Sequence, residues 1–455
     1  MYRMITGHYV CSKYNYRVIT DDPDQIYLFN CLKGSFIKLP RSVGILLDSI
    51  SKDNPLLIDD HSAASSSVVG ALLEGGFIVR QDSDELSIIE EKYNSAVASQ
   101  TFSVTIATTL NCNLSCYYCY QEHSAIQLNR EICDRILFHI EQRLTQGNYK
   151  KLIVDWYGGE PLLALESIEY LSKKLIGLTS NLHIDYKASM VTNGTRLTPA
   201  VVDSLDKLQV SSIQITLDGP PSIHNNNRPY RGGKPSFDSV LNGIQAAAKK
   251  IDTFIRINVN QETLPAAYEL LDRLADLHLS SNGRKVVPYI SMIGPLSSAC
   301  GSLNDETIPV GEFYANALNF QKEVLRRFPN LEVEDVVEIP KSIRRACGAQ
   351  NPNSLCIHPS GQVFKCGLDI HDSSLGASYI WDDYDHHSNF GRWHNLSPLK
   401  INECIDCRFL PLCMGGCAKH NFIEGHFYER ESCLHWNTYL DSILKTIIEL
   451  KKESV

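Results

Sequence analysis

Between residues 103 and about 328 the chain alternates two hydrophobic patterns, and that alternation limits its fold more than any other feature. Short apolar runs at 103–108, 152–157, 183–191, 212–217, 253–259 and 286–291 read as strands. A stretch of helical spacing follows each, as at 130–144, 164–178 and 237–249. Strands joined through helices run parallel, because a crossover of that length carries the chain back across the sheet. Six such units are fewer than the eight of a closed barrel. The expected fold class is therefore α/β, an open partial (βα)6 barrel with its chemistry at the C-terminal ends of the strands.

The flanking segments have a different character. Residues 1–85 read as a small α+β module with strands at 16–20, 25–29 and 35–39, helices at 41–50 and 65–73, and a short apolar run at 77–79. Residues 86–102 are a charged helical linker. Residues 331–435 are rich in Gly, Pro, Asn, His and Cys and lose long periodic segments. A stretch so poor in apolar runs needs staples, which bound metal would supply. A closing helix is expected over 436–455. With 455 residues and 43% hydrophobic content the chain is globular, not disordered or fibrous.

Charge and cysteine usage narrow the function. Lys plus Arg is 43 against 52 Asp plus Glu, a formal charge of −9, which disfavours a nucleic-acid binder working through a basic face. No apolar run is long enough for a membrane span. The opening MYRMITGHYVCSKYNYR lacks the apolar segment of a secretory signal. The expected location is the cytoplasm, where disulfides are disfavoured. The 15 cysteines then read as metal ligands or reactive thiols. Three of them, Cys112, Cys116 and Cys119, follow the first strand in TTLNCNLSCYYCYQ as Cys-x3-Cys-x2-Cys. An ordinary iron–sulfur cluster takes four thiolates. Three leave one iron open to a further ligand. The alternative is a zinc site short of a ligand, or three buried thiols.

This spacing at this place resembles the radical S-adenosylmethionine superfamily. The resemblance implies a 4Fe–4S cluster on the three cysteines, S-adenosyl-L-methionine chelated to the open iron, and a 5′-deoxyadenosyl radical released from it. It also implies roles for residues at the following strand ends. Tyr118 would pack on the adenine. In WYGGEP, Gly158 and Gly159 would let the backbone approach and Glu160 would take the methionine ammonium. Asn193 in VTNGT and Thr216 in ITLDGP would lie near the cofactor, Thr216 by the ribose, unless they only cap their strands. Arg228 in IHNNNRPYRGG would meet the cofactor carboxylate, with Arg231 and Arg256 as competitors, and His224 reads as structural.

The later cysteines resemble the seven-cysteine SPASM module: Cys347, then Gly361 and Cys366, then Cys404-x2-Cys407-x5-Cys413-x3-Cys417, and finally Cys433. That resemblance implies two auxiliary 4Fe–4S clusters, three clusters in all. The outer one would use Cys404, Cys407, Cys413 and Cys433. The inner one would use Cys347, Cys366 and Cys417. Cys356 is either its fourth ligand or buried packing, since it sits in LCIHPSG where relatives place an apolar strand residue. A zinc ribbon is the alternative for this group. Cys11, Cys31, Cys133 and Cys300 receive no role.

The pattern YNYRVI, IYLFNCLKGSFIKL, a helix pair and LLEGGFIV resembles a RiPP recognition element, a winged helix-turn-helix-like module that binds leader peptides by strand addition. Together the resemblances imply a radical peptide maturase. Such an enzyme abstracts a hydrogen from a ribosomally made precursor and forms a thioether, a C–C or C–O crosslink, or an inverted centre. Its partners would be a precursor peptide with its leader and an electron donor such as flavodoxin or ferredoxin, with no nucleic acid and no membrane. The alternatives are an anaerobic sulfatase-maturing enzyme that forms formylglycine, a dehydrogenase of a small alcohol, and a non-catalytic iron–sulfur electron carrier. Sulfatase maturases carry an Asp after the second module cysteine. Here Gly367 follows Cys366, and the nearest carboxylate is Asp369. Asp369, Tyr120 and Tyr289 are candidates for a catalytic base by position.

Overall fold

The computed structural model describes residues 6–58, 67–279, 283–294, 303, 307–337, 339–345, 347–419 and 431–453. The chain divides into two compact units, residues 1–98, 338–347 and 396–455 in one and residues 99–337 and 348–395 in the other.

The first unit contains two small antiparallel sheets. One has the order β5-β1-β6, from β1 (Gly7–Cys11), β5 (Leu56–Ile58) and β6 (Ile78–Arg80). The other is β2-β3-β4, from β2 (Asn15–Val18), β3 (Gln25–Asn30) and β4 (Ser35–Pro40). They share one core with α1 (Arg41–Ser49) and α2 (Ser67–Glu74), built on Tyr9, Leu28, Leu39, Leu47, Leu72 and Phe77. The sequence missed β1 and β5. Runs of five and three residues are too short to show a period, and only their pairing makes them strands. The expected linker is largely the helix α3 (Glu85–Ser95), whose Asp84 cap accepts from the Leu86 and Ser87 amides. The C-terminal helix runs from Glu431 to Glu453 and buries Leu440, Ile443, Leu444 and Ile447, one face of a 3.6-residue repeat.

The second unit is an eight-stranded sheet. Its strands β7 (Thr101–Ala107), β8 (Lys151–Tyr157), β9 (Asp185–Thr192), β10 (Val210–Thr216), β11 (Asp252–Val259) and β12 (Val286–Met292) are parallel and adjacent in chain order. Helices Arg130–Gln146, Leu165–Asn181, Pro199–Lys207, Phe237–Ala247, Leu264–Asp276 and Val310–Arg327 cross over between or after them. The sheet is not closed. β13 (Ser354–Ile357) adds in parallel to the free edge of β7, and β14 (Val363–Phe364) pairs antiparallel with β13. An edge strand left bare is a liability, and these two strands cover it. The segment 331–435 was expected as one loop-rich module. Its residues 331–337 and 348–395 belong to the barrel unit and 338–347 and 396–435 to the other.

One sheet face is apolar: Phe102, Val104, Ile106, Leu152, Val154, Trp156, Ile213 and Ile255 are buried in the core. Several of the alternating positions are polar and bond across strands, as Ser189 does to Asp155 and Tyr289 to Gln214. No helix among the described residues is long and apolar enough to cross a membrane.

Candidate active site

The six parallel strands end around one cavity. Its wall includes Cys112, Cys116, Tyr118, Cys119, Gly158, Gly159, Asn193, Thr216 and Arg228, so nearly all the cofactor residues expected from the sequence come together. Tyr120, Gln121, His123, Tyr157, Thr192, Gln214, Arg256 and Asn258 complete its polar lining. No carboxylate lines it among the described residues.

The loop carrying the three cysteines is pinned by main-chain bonds to the segment after β10. Ser115 donates to Pro229, Tyr117 to Asn227 and Arg231 to Asn113, each through backbone N–H. Asn193 donates to Asn113 Oδ1 at 2.8 Å and approaches the Cys112 sulfur at 3.7 Å. Burial pushes the Cys112 thiol up and the Cys116 thiol to about 12. Burial thus favours the protonated form of these two thiols, and a cluster binding here would displace those protons.

Behind the loop lies a buried network. The Tyr118 hydroxyl donates to Asp218 and accepts from Arg228 Nη1 at 2.7 Å and Asn258 Nδ2 at 3.0 Å. Asp218 is fully buried and also accepts from the Asn258 amide at 3.1 Å. Burial raises the Asp218 carboxyl, against the nearby Arg228 guanidinium. Burial likewise works against the Arg228 charge, but Cys116, Tyr118 and Asp218 outweigh it and hold the guanidinium protonated. Asp218 and Asn258 were not singled out in the sequence, although both stand at strand ends, in ITLDGP and in INVN. Arg231 is engaged elsewhere, donating to Asn111 Oδ1 at 3.1 Å.

The Gly-Gly-Glu segment acts in a way its motif did not reveal. A Cβ on Gly158 would stand 2.3 Å from the Thr109 carbonyl, and one on Gly159 would stand 2.3 Å from the Asn111 carbonyl. Gly159 and Glu160 donate to those same carbonyls at 2.8 Å. The glycines let the loops after β7 and β8 pack backbone to backbone. Gly158, at φ +143, also takes a conformation that L side chains rarely adopt. Glu160 does not line the cavity. It is fully buried and accepts from Leu162 N, Thr192 Oγ1 and Asn193 N at 3.0, 2.7 and 2.7 Å. It ties the end of β8 to the end of β9.

His224 is buried beside the network around Tyr118. Its Nδ1 accepts from the Asp218 amide at 3.2 Å, so Nε2 carries the proton and faces Ser236 Oγ at 3.1 Å. Of the candidate bases, Tyr120 lines the cavity and bonds to Tyr157, while Tyr289 donates to Gln214 at 2.7 Å. Asp369 is buried beside Arg392 at 3.7 Å and does not line the cavity. Cys356, on β13, packs with Ala107, Phe364 and Ile370, and burial pushes its thiol to about 11.

In the first unit Cys413 lies within electrostatic reach of Cys433, Cys404 and Cys407. No three His, Cys or carboxylate residues among those described converge closely enough to hold a single metal ion. A zinc site needs sulfurs about 2.3 Å from one centre. A cubane cluster spreads its thiolates wider. Cys347 and Cys417 belong to the first unit and Cys366 to the second. Cys300 lies outside the described residues.

Several known proteins are similar to this chain. The chain is 24% identical over 443 residues to the radical SAM cyclopropyl synthase TigE of Paramaledivibacter caminithermalis, covering 89% of each chain. It is 25% identical to the mycofactocin maturase MftC of Mycolicibacterium smegmatis, covering 71% of this chain and 79% of that one. It is 23% identical to a cysteine-type anaerobic sulfatase-maturating enzyme of Clostridium perfringens, covering 68% and 86%. Among solved structures, anSMEcpe with bound AdoMet superposes with a TM-score of 0.58 at 18% identity, over 78% of this chain and 96% of that one. Streptococcus suis SuiB bound to its precursor peptide SuiA gives 0.50 at 13% identity, over 93% and 98%. The model of the radical SAM superfamily matches residues 106–274. Those residues form a radical S-adenosylmethionine domain.

Proposed function

We propose that the protein is a radical S-adenosylmethionine maturase of a ribosomally made peptide. The observation that carries this reading is three thiols on one strand-end cavity whose wall is oriented by the Tyr118–Arg228–Asp218–Asn258 network. Cys112, Cys116 and Cys119 are the ligands of the first 4Fe–4S cluster. Tyr118, Gly158, Gly159, Asn193, Thr216 and Arg228 form the wall for S-adenosyl-L-methionine, and Glu160 positions Asn193 from behind. Cluster and cofactor, when bound, supply an electron and a carbon-centred radical that removes a substrate hydrogen. Arg228 offsets the negative charge of the thiolates, and Asp218 and Tyr118 fix its direction.

Cys404, Cys407, Cys413 and Cys433 are the ligands of an outer auxiliary cluster. For Cys347, Cys366 and Cys417 as an inner set the support is their spacing alone. Cys356 is packing. The first unit supplies the leader site: β4 is an edge strand with Phe36 and Lys38 exposed, and it offers backbone groups to a leader strand. Relatives named as maturases and a cyclopropyl synthase support the peptide reading. A small electron donor such as flavodoxin or ferredoxin delivers the electron. Formylglycine formation competes, given the sulfatase-maturing relatives. The absence of a carboxylate from the described cavity wall, with Asp369 turned to Arg392, weighs against it.

The test is anaerobic co-expression with a short peptide encoded beside the gene, followed by mass spectrometry. Loss of two hydrogens from a peptide that requires its leader is the expected result. Replacement of Cys112, Cys116 and Cys119 by Ala should abolish cofactor cleavage and leave the auxiliary iron in place. Cleavage that survives the triple replacement would refute the ligand assignment.

A further inference from the structure

The cavity has a second guanidinium, Arg256, which meets the network around Tyr118 only through Asn258. Arg256 on β11 lies opposite Thr216 of β10 on one side and opposite Tyr289 of β12 on the other. It donates from Nε to Asn258 Oδ1 and from Nη2 to Ser291 Oγ, both at 2.8 Å. On the neighbouring strand the Tyr289 hydroxyl donates to Gln214 Oε1 at 2.7 Å. The side-chain carbonyl acceptors of this patch are thus taken by its own members. What remains toward the cavity, which both Arg256 and Gln214 line, is the Nη1 of Arg256 and the Nε2 amide of Gln214.

The charge balance sharpens the point. Arg228 faces Asp218 through Tyr118 and also feels Cys116. Arg256 has only neutral partners in these bonds, and no described carboxylate lines the cavity. A guanidinium drawn into a partly enclosed wall loses hydration, and no described carboxylate of that wall answers its charge. Two fixed donors beside an unanswered cation suit a planar carboxylate.

We propose that Arg256 and Gln214 bind a carboxylate of the peptide substrate, so that an acidic side chain or a free C-terminal carboxylate lies beside the residue that reacts. This assignment rests on the maturase reading of the same cavity. It makes the radical domain, and not only the leader site, selective for an anionic group.

The experiment uses the full chain with its clusters reconstituted, reduced, and supplied with S-adenosylmethionine. Release of 5′-deoxyadenosine is followed while three probes are titrated: N-acetyl-L-glutamate α-amide for an acidic side chain, N-acetyl-L-alanine for a C-terminal carboxylate, and N-acetyl-L-glutamine amide as the neutral control. One carboxylate probe should change the release rate with a half-saturating concentration roughly tenfold or more below that of the control, the scale of a charge-assisted hydrogen bond. Whichever probe does so identifies the source of the carboxylate. In Arg256→Gln this advantage should disappear, and Arg256→Lys should restore part of it. Gln214→Leu should weaken the same probe by a smaller factor. Equal response to carboxylate and amide probes in the unaltered protein overturns the assignment. So does an Arg256→Gln variant whose half-saturation rises for S-adenosylmethionine instead of for the probe, because the cation then serves the cofactor. If the unaltered protein releases no 5′-deoxyadenosine at all, the maturase reading itself fails, and this assignment with it.

Discussion

Gly158 and Gly159 were read as allowing close approach of a cofactor, but the nearest claim on the space comes from the Thr109 and Asn111 carbonyls. Gly158→Ala should lower stability by about 3 kcal/mol, through overpacking and an unfavourable backbone conformation, as measured by denaturant titration of the cluster-free chain. Tyr118→Phe removes the hydroxyl shared by Asp218, Arg228 and Asn258 and should cost about 2 kcal/mol, because a buried carboxylate loses a donor. Retention of full stability would show that the network contributes nothing to folding. Titration adds a third expectation at this scale. Burial depresses His224 to about 3 and His139 and His358 to about 4. Such groups bind fewer protons folded than unfolded. The stability they contribute is therefore present above the ordinary histidine value near pH 6.5 and is lost as pH falls toward 4, by about 1.4 kcal/mol per unit for each group. Tryptophan-monitored unfolding at a series of pH values should show this slope, and replacing His358 should reduce it by one proton.

At the scale of elements, the parallel strands and their crossover helices were legible because each is long enough to show its period. The helix Arg130–Gln146 also has a readable start, with Asn129 accepting from the Ile132 amide. Asn129→Ala should cost about 1 kcal/mol in the same unfolding measurement. β13 was not legible. Ser354–Ile357 is a short apolar run inside a loop-rich segment, and only the open edge of β7 makes it a strand. That placement also decides the environment of Cys356, which packs on Ala107 of β7, Phe364 of β14 and Ile370. The cysteine loop behaves likewise. Its spacing was plain in the sequence, but its hold on the segment at 227–231 is made of backbone bonds that carry no residue signature.

At the scale of the whole molecule, the compact units cut across the order of the chain, since 338–347 and 396–455 cluster with 1–98. The segment 396–419 has only short helices, such as Asn402–Ile405 and Leu410–Cys413. Bound metal is expected to hold it. Removing iron with a chelator should therefore expose 396–419 to limited proteolysis before the barrel strands, as mapped by mass spectrometry of the fragments. Simultaneous cleavage throughout the chain would argue that the auxiliary thiols do not stabilise their segment. The formal charge of −9 also predicts no retention on a nucleic-acid column at moderate salt.

The alternation of strand and helix, the two cysteine groups and the residues at the strand ends are all legible in the order of the residues. Each of these is a local pattern, set by periodicity or by fixed spacing along the chain. Tertiary structure alone decided what those residues do to one another. It turned Glu160 into a buried tie between Leu162, Thr192 and Asn193, brought Asp218 and Asn258 behind Tyr118, and left Arg256 with neutral partners on the cavity wall. Charge balance and hydrogen-bond satisfaction are sums over neighbours in space, and the neighbours of Arg256 come from three strands separated by tens of residues.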